Sequence, residues 1–292
     1  MSFAVFTDTS ANLPTPMIKE KNIHIVPFMY YIDGKENACL DTEAFDGHAF
    51  YDMIREGTKV STSQINPLKY AEYLRPVVEN GEDIVFVGMS SGISGSFNSM
   101  RIAAADLMKE FPERKICLID ALTASLGEGI PALKAAELRD AGMDILDAEK
   151  ELNDFCKKMC SVFMVDDLMH LKRTGRLSGA VAFIGTVLQL KPLMKGDETG
   201  HIVNTGKARG RRKAIEALAE KYDTLAIEPE KQLVGIAHAD CEEEAKYLAE
   251  LLYKNRPPKD LLMVCYEPVT GSHVGPGTIA LFFEGEEDVR SK

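Results

Sequence analysis

Ile84-Val85-Phe86-Val87-Gly88-Met89-Ser90-Ser91-Gly92-Ile93-Ser94-Gly95-Ser96 passes from an unbroken apolar run into a turn with four hydroxyls and three glycines. Behind it, from about Phe97 to Glu110, Ala and Leu recur at i, i+3 and i+4, the period of a helix with one apolar face. A short apolar strand that hands over to such a helix through glycines is the opening of a βαβ unit. Phe3 to Thr7 and Ile116 to Asp120 repeat the strand, and helices follow at about Gly127 to Asp140 and Asp147 to Met159. The rhythm predicts a parallel sheet with helix first turns gathered at one sheet end.

Downstream the pattern changes. Ser161 to Val165 reads as a strand, Asp166-Asp167 opens the basic segment Lys172-Arg173-Thr174-Gly175-Arg176, and an apolar helix runs from Ala180 to Leu190. Lys191 to Met194, a Gly-Asp-Glu-Thr-Gly bend and His201 to Asn204 read as a hairpin. Strands at 232–237, 261–266 and 278–283 enclose a helix at 242–253. The expected fold is α/β in two domains: residues 1–164 with a parallel sheet, and residues 165–292 as an α+β domain with a mixed sheet.

The chain has 292 residues, 45% of them apolar and 27% charged, which excludes disordered and disulfide-dense classes. A net charge of −11 disfavours polyphosphate backbones, and no aromatic interleaving accompanies the basic segments, so nucleic acid is not an expected partner. Six cysteines without CxxC spacing suit a reducing compartment. The first residues read as a strand rather than an export signal, and the longest apolar stretch is 11 residues, too short to span a bilayer. The expectation is a cytoplasmic protein without a transmembrane segment, with room for transient contact with a membrane surface.

Several segments carry chemistry. Hydroxyls and backbone amides at a helix start, as in residues 88–96, form an anion receptor, although a simple N-cap would use the same residues. Residues 88–92 also satisfy Gly-x-Ser-x-Gly, with Asp120 and His238 or His273 downstream, so a serine hydrolase nucleophilic at Ser90 is the alternative. Against it, the glycines postpone the helix and no oxyanion segment precedes it. Val60 to Pro67 is a second hydroxyl-rich loop. Gly271 to Gly277 places His273 on what reads as a tightly shaped loop. Lys207, Arg209, Arg211, Arg212 and Lys213 form a basic stretch, either a solvated face or a docking patch for an acidic or phosphate-bearing partner. Gly200 to Ala208 departs from P-loop spacing, and Cys156/Cys160 and His238-Ala-Asp240-Cys241 are incomplete ligand sets, so no nucleotide, metal or other cofactor is expected.

Five blocks in order resemble the DegV family over nearly the whole chain: residues 7–14, Thr62-Ser63-Gln64, residues 90–96, residues 171–178 and residues 273–277. Members of that family bind fatty acids and, in bacteria, serve as the acyl-carrying subunit of fatty acid kinase, with a place in phospholipid metabolism. The resemblance implies that Thr62, Ser94 and His273 hold a long-chain fatty acid carboxylate, with Ser63, Gly95, Ser96 and Gly275 shaping the supporting loops. It also implies a lipid tunnel between the two domains. Arg176, Arg209 and Arg211 would face an ATP-binding kinase subunit that makes the acyl phosphate, this chain being no enzyme itself. Phe183, Ile184, Val187 and Leu188 belong to a helix apolar nearly all round, which lines the tunnel or is simply core. Ser96, Thr174 and Ser272 depart mildly from the family pattern and bear on head-group geometry and partner choice.

Overall fold

The computed structural model describes residues 2–177 and 189–292. The chain divides into two compact units, residues 1–45 with 60–156, and residues 46–59 with 157–292. Relative to a single cut at 164/165, the second unit takes in an early excursion of the chain.

In the first unit, β1 (Phe3–Asp8), α1 (Thr15–Glu20) and β2 (Ile23–Val26) are followed by a small antiparallel sheet of β3 (Met29–Ile32), β4 (Lys35–Asn37) and β5 (Val60–Ser63). Residues 46–59 of the second unit, with α2 (Gly47–Arg55), intervene before β5. Next come α3 (Pro67–Glu79), β6 (Asp83–Gly88), α4 (Ser96–Glu110), β7 (Ile116–Asp120), α5 (Leu126–Asp140) and α6 (Ile145–Lys158), whose last turn passes into the second unit. The main sheet is parallel throughout, in the order β2-β1-β6-β7. Its central strands are apolar on both faces because helices cover both: Val5, Ile84, Val85, Phe86 and Val87 are fully buried. From β1 the chain first adds a strand on one side and then crosses to the other, so the order reverses between β1 and β6. Open α/β sheets bind ligands beyond the strand ends at such a reversal.

The second unit continues with β8 (Met159–Met164), α7 (Leu168–Arg173), β9 (Leu190–Gly196), β10 (Ile202–Arg209), α8 (Arg211–Leu225), β11 (Leu233–His238), α9 (Glu242–Asn255), β12 (Asp260–Cys265), α10 (Pro268–Val274) and β13 (Ile279–Glu284). Its sheet is mixed, β10-β9-β8-β13-β11-β12, and only β11 and β12 run parallel. Helices α8 and α9 bury Ile215, Leu218 and Leu248 against Val162, Ile236, Leu281 and Phe283.

Two expectations are corrected. Gly271 to His273 lie within a helix, α10, rather than on a loop. Pro268 opens that helix, and the Glu267 carboxylate caps it by accepting the Val269 and Thr270 amides, both at 2.6 Å. The apolar helix expected from Ala180 to Leu190 lies outside the described residues up to position 188, and Leu190 itself begins β9 rather than ending a helix.

Candidate functional site

The loops leaving β5 and β6 are tied together in the first unit. Thr62 and Ser63 end β5, where Thr62 pairs with Tyr30 across the small sheet. Ser94 lies just before α4. Its hydroxyl accepts the Ser96 amide at 3.2 Å and donates to the Ser96 hydroxyl at 3.0 Å. Ser96 is buried, and its hydroxyl in turn accepts the Ile65 amide at 3.0 Å, which joins the two loops. Gly95 packs directly under the Gln64 side chain, whose oxygen a Cβ there would displace. Thr62, Ser63 and Ser94 remain only partly buried, on two loops joined through the buried Ser96.

Behind it lies a buried carboxyl pair that single-residue reasoning does not mark. Asp8 closes β1 and Glu128 lies in the first turn of α5, and neither is measurably open to water. The Glu128 carboxylate accepts from the Thr7 hydroxyl at 2.9 Å and the Ser10 hydroxyl at 2.7 Å. Asp8 accepts the Ser10 amide at 2.8 Å, and the Ser10 hydroxyl lies within hydrogen-bond reach of both the Asp8 and the Glu128 carboxyls. Burial raises the Asp8 acid to about 6, against the opposing pull of its Ser10, Glu128 and Met89 hydrogen bonds. Two carboxyls brought together on one hydroxyl and shut from water favour holding one proton between them. Through Met89 this pair couples the end of β1 to the end of β6, at the strand-order reversal.

The second unit builds a different cluster around α10. His273 is partly buried there, and burial lowers its imidazole to about 3, with the Arg176 and His170 charges acting in the same direction. It is therefore neutral near pH 7 and offers an N–H donor without charge. Arg176 is itself half-buried and anchored on the Thr174 carbonyl. Thr174 donates to the His273 carbonyl at 3.3 Å, and the His170 imidazole meets the Ser272 carbonyl at 2.7 Å, which fixes α7 against α10. Gly275 has φ +83°, and a Cβ there would meet the His170 ring at 2.9 Å, so only glycine fits.

The remaining expected residues fare unequally. Ser90 is fully buried and its hydroxyl accepts the Gly92 amide at 3.1 Å, while Asp120 takes the Ser91 and Leu122 amides. A nucleophile elbow must present its serine, so the hydrolase alternative is without support. Arg209 is exposed on β10, an outer strand among the described residues, where Lys207 and Arg209 also discourage edge pairing. Arg211 is committed within the unit: it pairs with Asp166 at 2.6 Å and Glu244 at 2.6 Å, and donates to the Gly277 carbonyl at 2.9 Å. Those carboxylates explain how a cation stands at the start of α8 against the helix dipole. Phe183, Ile184, Val187 and Leu188 lie outside the described residues. Gly200 to Ala208 is largely the strand β10, not a phosphate loop. No described helix is long and apolar enough to cross a membrane.

The model of the family described as "Uncharacterised protein, DegV family" matches residues 2–286. The chain belongs to the DegV family. A DegV domain-containing protein of Clostridium perfringens is 36% identical over 284 residues, 97% of this chain and 98% of the relative. Among solved structures, a DegV family protein from Thermus thermophilus described for fatty acid binding aligns with 98% of this chain and 100% of its own, at 28% identity and TM-score 0.87. DegV, a fatty acid binding protein from Bacillus subtilis, aligns with 98% of this chain and 100% of its own, at 31% identity and TM-score 0.83. The five sequence blocks all fall inside the matched DegV span, and the parallel and mixed sheets are the architecture shared with these structures.

Proposed function

We propose that this DegV protein binds one long-chain fatty acid, and that Thr62, Ser94 and His273 meet its carboxylate while the acyl chain is buried in a tunnel. The observation that carries the reading is the end-to-end similarity to DegV structures described as fatty acid binding. The chemistry agrees. Each buried methylene contributes about 0.8 kcal/mol, so a long chain supplies roughly 10 kcal/mol before the entropy of ordering it. A carboxylate stripped of water costs several kcal/mol unless donors replace its solvation. The Thr62 and Ser94 hydroxyls are such donors, and neutral His273 with Arg176 beside it forms a second group suited to an anion. Arg176 is therefore assigned to the carboxylate end rather than to docking.

The second part of the proposal concerns a partner. The chain acts in the cytoplasm as the acyl carrier for a separate ATP-using kinase subunit, which transfers phosphate to the exposed carboxylate oxygen. Arg209 is the docking residue of choice, being exposed, whereas Arg211 is occupied by Asp166 and Glu244.

Equilibrium binding of labelled palmitate to delipidated protein tests the first part. Saturable one-to-one uptake is expected, with Ser94→Ala and His273→Ala each weakening it by about tenfold or more, as expected for losing a hydrogen bond to a charged group. Failure to take up palmitate at all overturns it. For the second part, Arg209→Glu should abolish capture of the kinase subunit while leaving palmitate affinity unchanged; unaltered capture removes the docking assignment.

A further inference from the structure

A cavity of about 240 Å³ opens in the second unit, between the β8-β9-β10 end of the sheet and α8, with the C-terminal residues at one side. Its floor is apolar, formed by Val162, Leu193, Met194, Leu218 and Val289. Cys160 adds to that floor, since burial pushes its thiol up to about 12 and leaves it a small hydrophobe rather than a nucleophile.

Two cations complete the lining. Lys195, partly buried, and Lys221, exposed, both border the cavity. Burial pushes the Lys195 ammonium below its usual value, and the Lys221 charge pushes it further. Lys195 donates once, to the Arg290 carbonyl at 3.0 Å, which leaves two of its three N–H groups. Among the described residues neither lysine has a carboxylate at ion-pair distance. Asp197 and Glu198 act on Lys195 only from further away, and Lys292 is spoken for by Asp288 at 2.7 Å. Glu220, at the rim, is exposed to solvent. On a chain of net charge −11, two neighbouring uncompensated ammonium groups over an apolar floor are a local inversion of the surface.

The backbone is shaped at the same place. Opposite Leu193 and Met194 the ladder shifts register between Asn204 and Gly206, so Thr205 is an inserted residue, and its hydroxyl bonds the Leu193 carbonyl at 3.1 Å. Bulges of this kind re-aim side chains at sites. Thr205 lines the cavity.

We propose that this cavity is a second ligand site, which takes a small amphipathic monoanion: an aliphatic carboxylate whose tail fills the apolar floor and whose head lies against Lys195 and Lys221. A volume of about 240 Å³ is the scale of a medium-length tail of roughly eight carbons, which makes octanoate the probe to use. The site is separate from the fatty acid reading above, because none of the residues named here is shared with it.

The test is a titration of the full chain, labelled with ¹³C at methionine methyl groups, with octanoate, in the presence and absence of palmitate. Met194 is buried and lines the cavity, so its methyl reports on this site. A saturable Met194 shift is expected in both conditions, about tenfold weaker with octanol, about tenfold weaker in Lys195→Gln/Lys221→Gln, and lost in Ala217→Phe, which fills the cavity wall. A Met194 signal that does not move, equal affinity for octanoate and octanol, or either variant binding as the parent does, overturns the proposal. Absence of palmitate binding would instead bear on the first site and leaves the Met194 response to be read by itself.

Discussion

Asp8→Asn should change how the stability of this protein responds to pH, in a direction that the buried network dictates. In the folded chain the Asp8 acid is raised to about 6 from an ordinary value of 3.8, mainly by burial. An acid raised on folding binds its proton more tightly in the native state, so its stabilising contribution is fully present below 3.8 and is lost as pH rises through 6. Between about pH 4.5 and about pH 7.5 the loss from this one group is about 2 kcal/mol. Asparagine retains an oxygen to accept from Ser10 and presents an N–H toward Glu128, as the protonated acid does, but does not titrate. Urea unfolding of parent and variant at a series of pH values measures the difference directly. The parent should lose stability relative to Asp8→Asn by about 2 kcal/mol across that interval. A difference that is flat in pH, or one that grows in the parent's favour as pH rises, would refute the assignment of a shared proton to this pair.

Other expectations concern the second unit. In ligand-free protein the His273 imidazole should show no titration step between about pH 5 and about pH 8 by NMR, since burial, Arg176 and His170 hold it at about 3. A step near its ordinary value would place the ring in water. The His48 imidazole is raised by its hydrogen bond to Asp240 and by the Asp52 and Asp240 charges. Its contribution to stability is therefore present below its unfolded value and lost as pH rises through the folded one, and Asp240→Asn should bring its NMR midpoint down. Gly271→Ala would bring a methyl to 3.0 Å from the Tyr51 ring and onto its hydroxyl, which donates to the Tyr266 carbonyl at 2.9 Å. That overpacking should cost about 2 kcal/mol in denaturant melts, and less in a Tyr51→Phe background; equal cost in both would contradict the contact.

What could be read from the chain was what is local. The β6–α4 junction is legible because an apolar run and an Ala/Leu period lie side by side in sequence. The β3–β4 hairpin carries a local signal in Asp33-Gly34, both at positive φ, but its strands, Met29–Ile32 and Lys35–Asn37, are too short for a period to show. The placement of α2 was not legible, since its anchors, His48 and Arg55 on Asp240 and Tyr51 on Tyr266, join residues about 200 positions apart. In α10 the glycines lowered helix propensity and suggested a loop. The true reason for Gly271 is the hydroxyl of Tyr51, supplied by a distant segment. The candidate site divides in the same way. The hydroxyls of residues 62 and 94 were marked by their loops and by the family resemblance, but nothing local joined Asp8 to Glu128, each an ordinary acid until the fold removes water from both. The resemblance puts Arg176 at a partner surface, and only in the folded chain does its charge also act on His273.

Native mass spectrometry of gently purified protein weighs the bound ligand itself. A single adduct of about 250–285 Da is expected, the mass of one long-chain fatty acid, released on unfolding and restored by adding palmitate to the delipidated chain. A bare mass that stays bare after palmitate is added would contradict fatty acid binding.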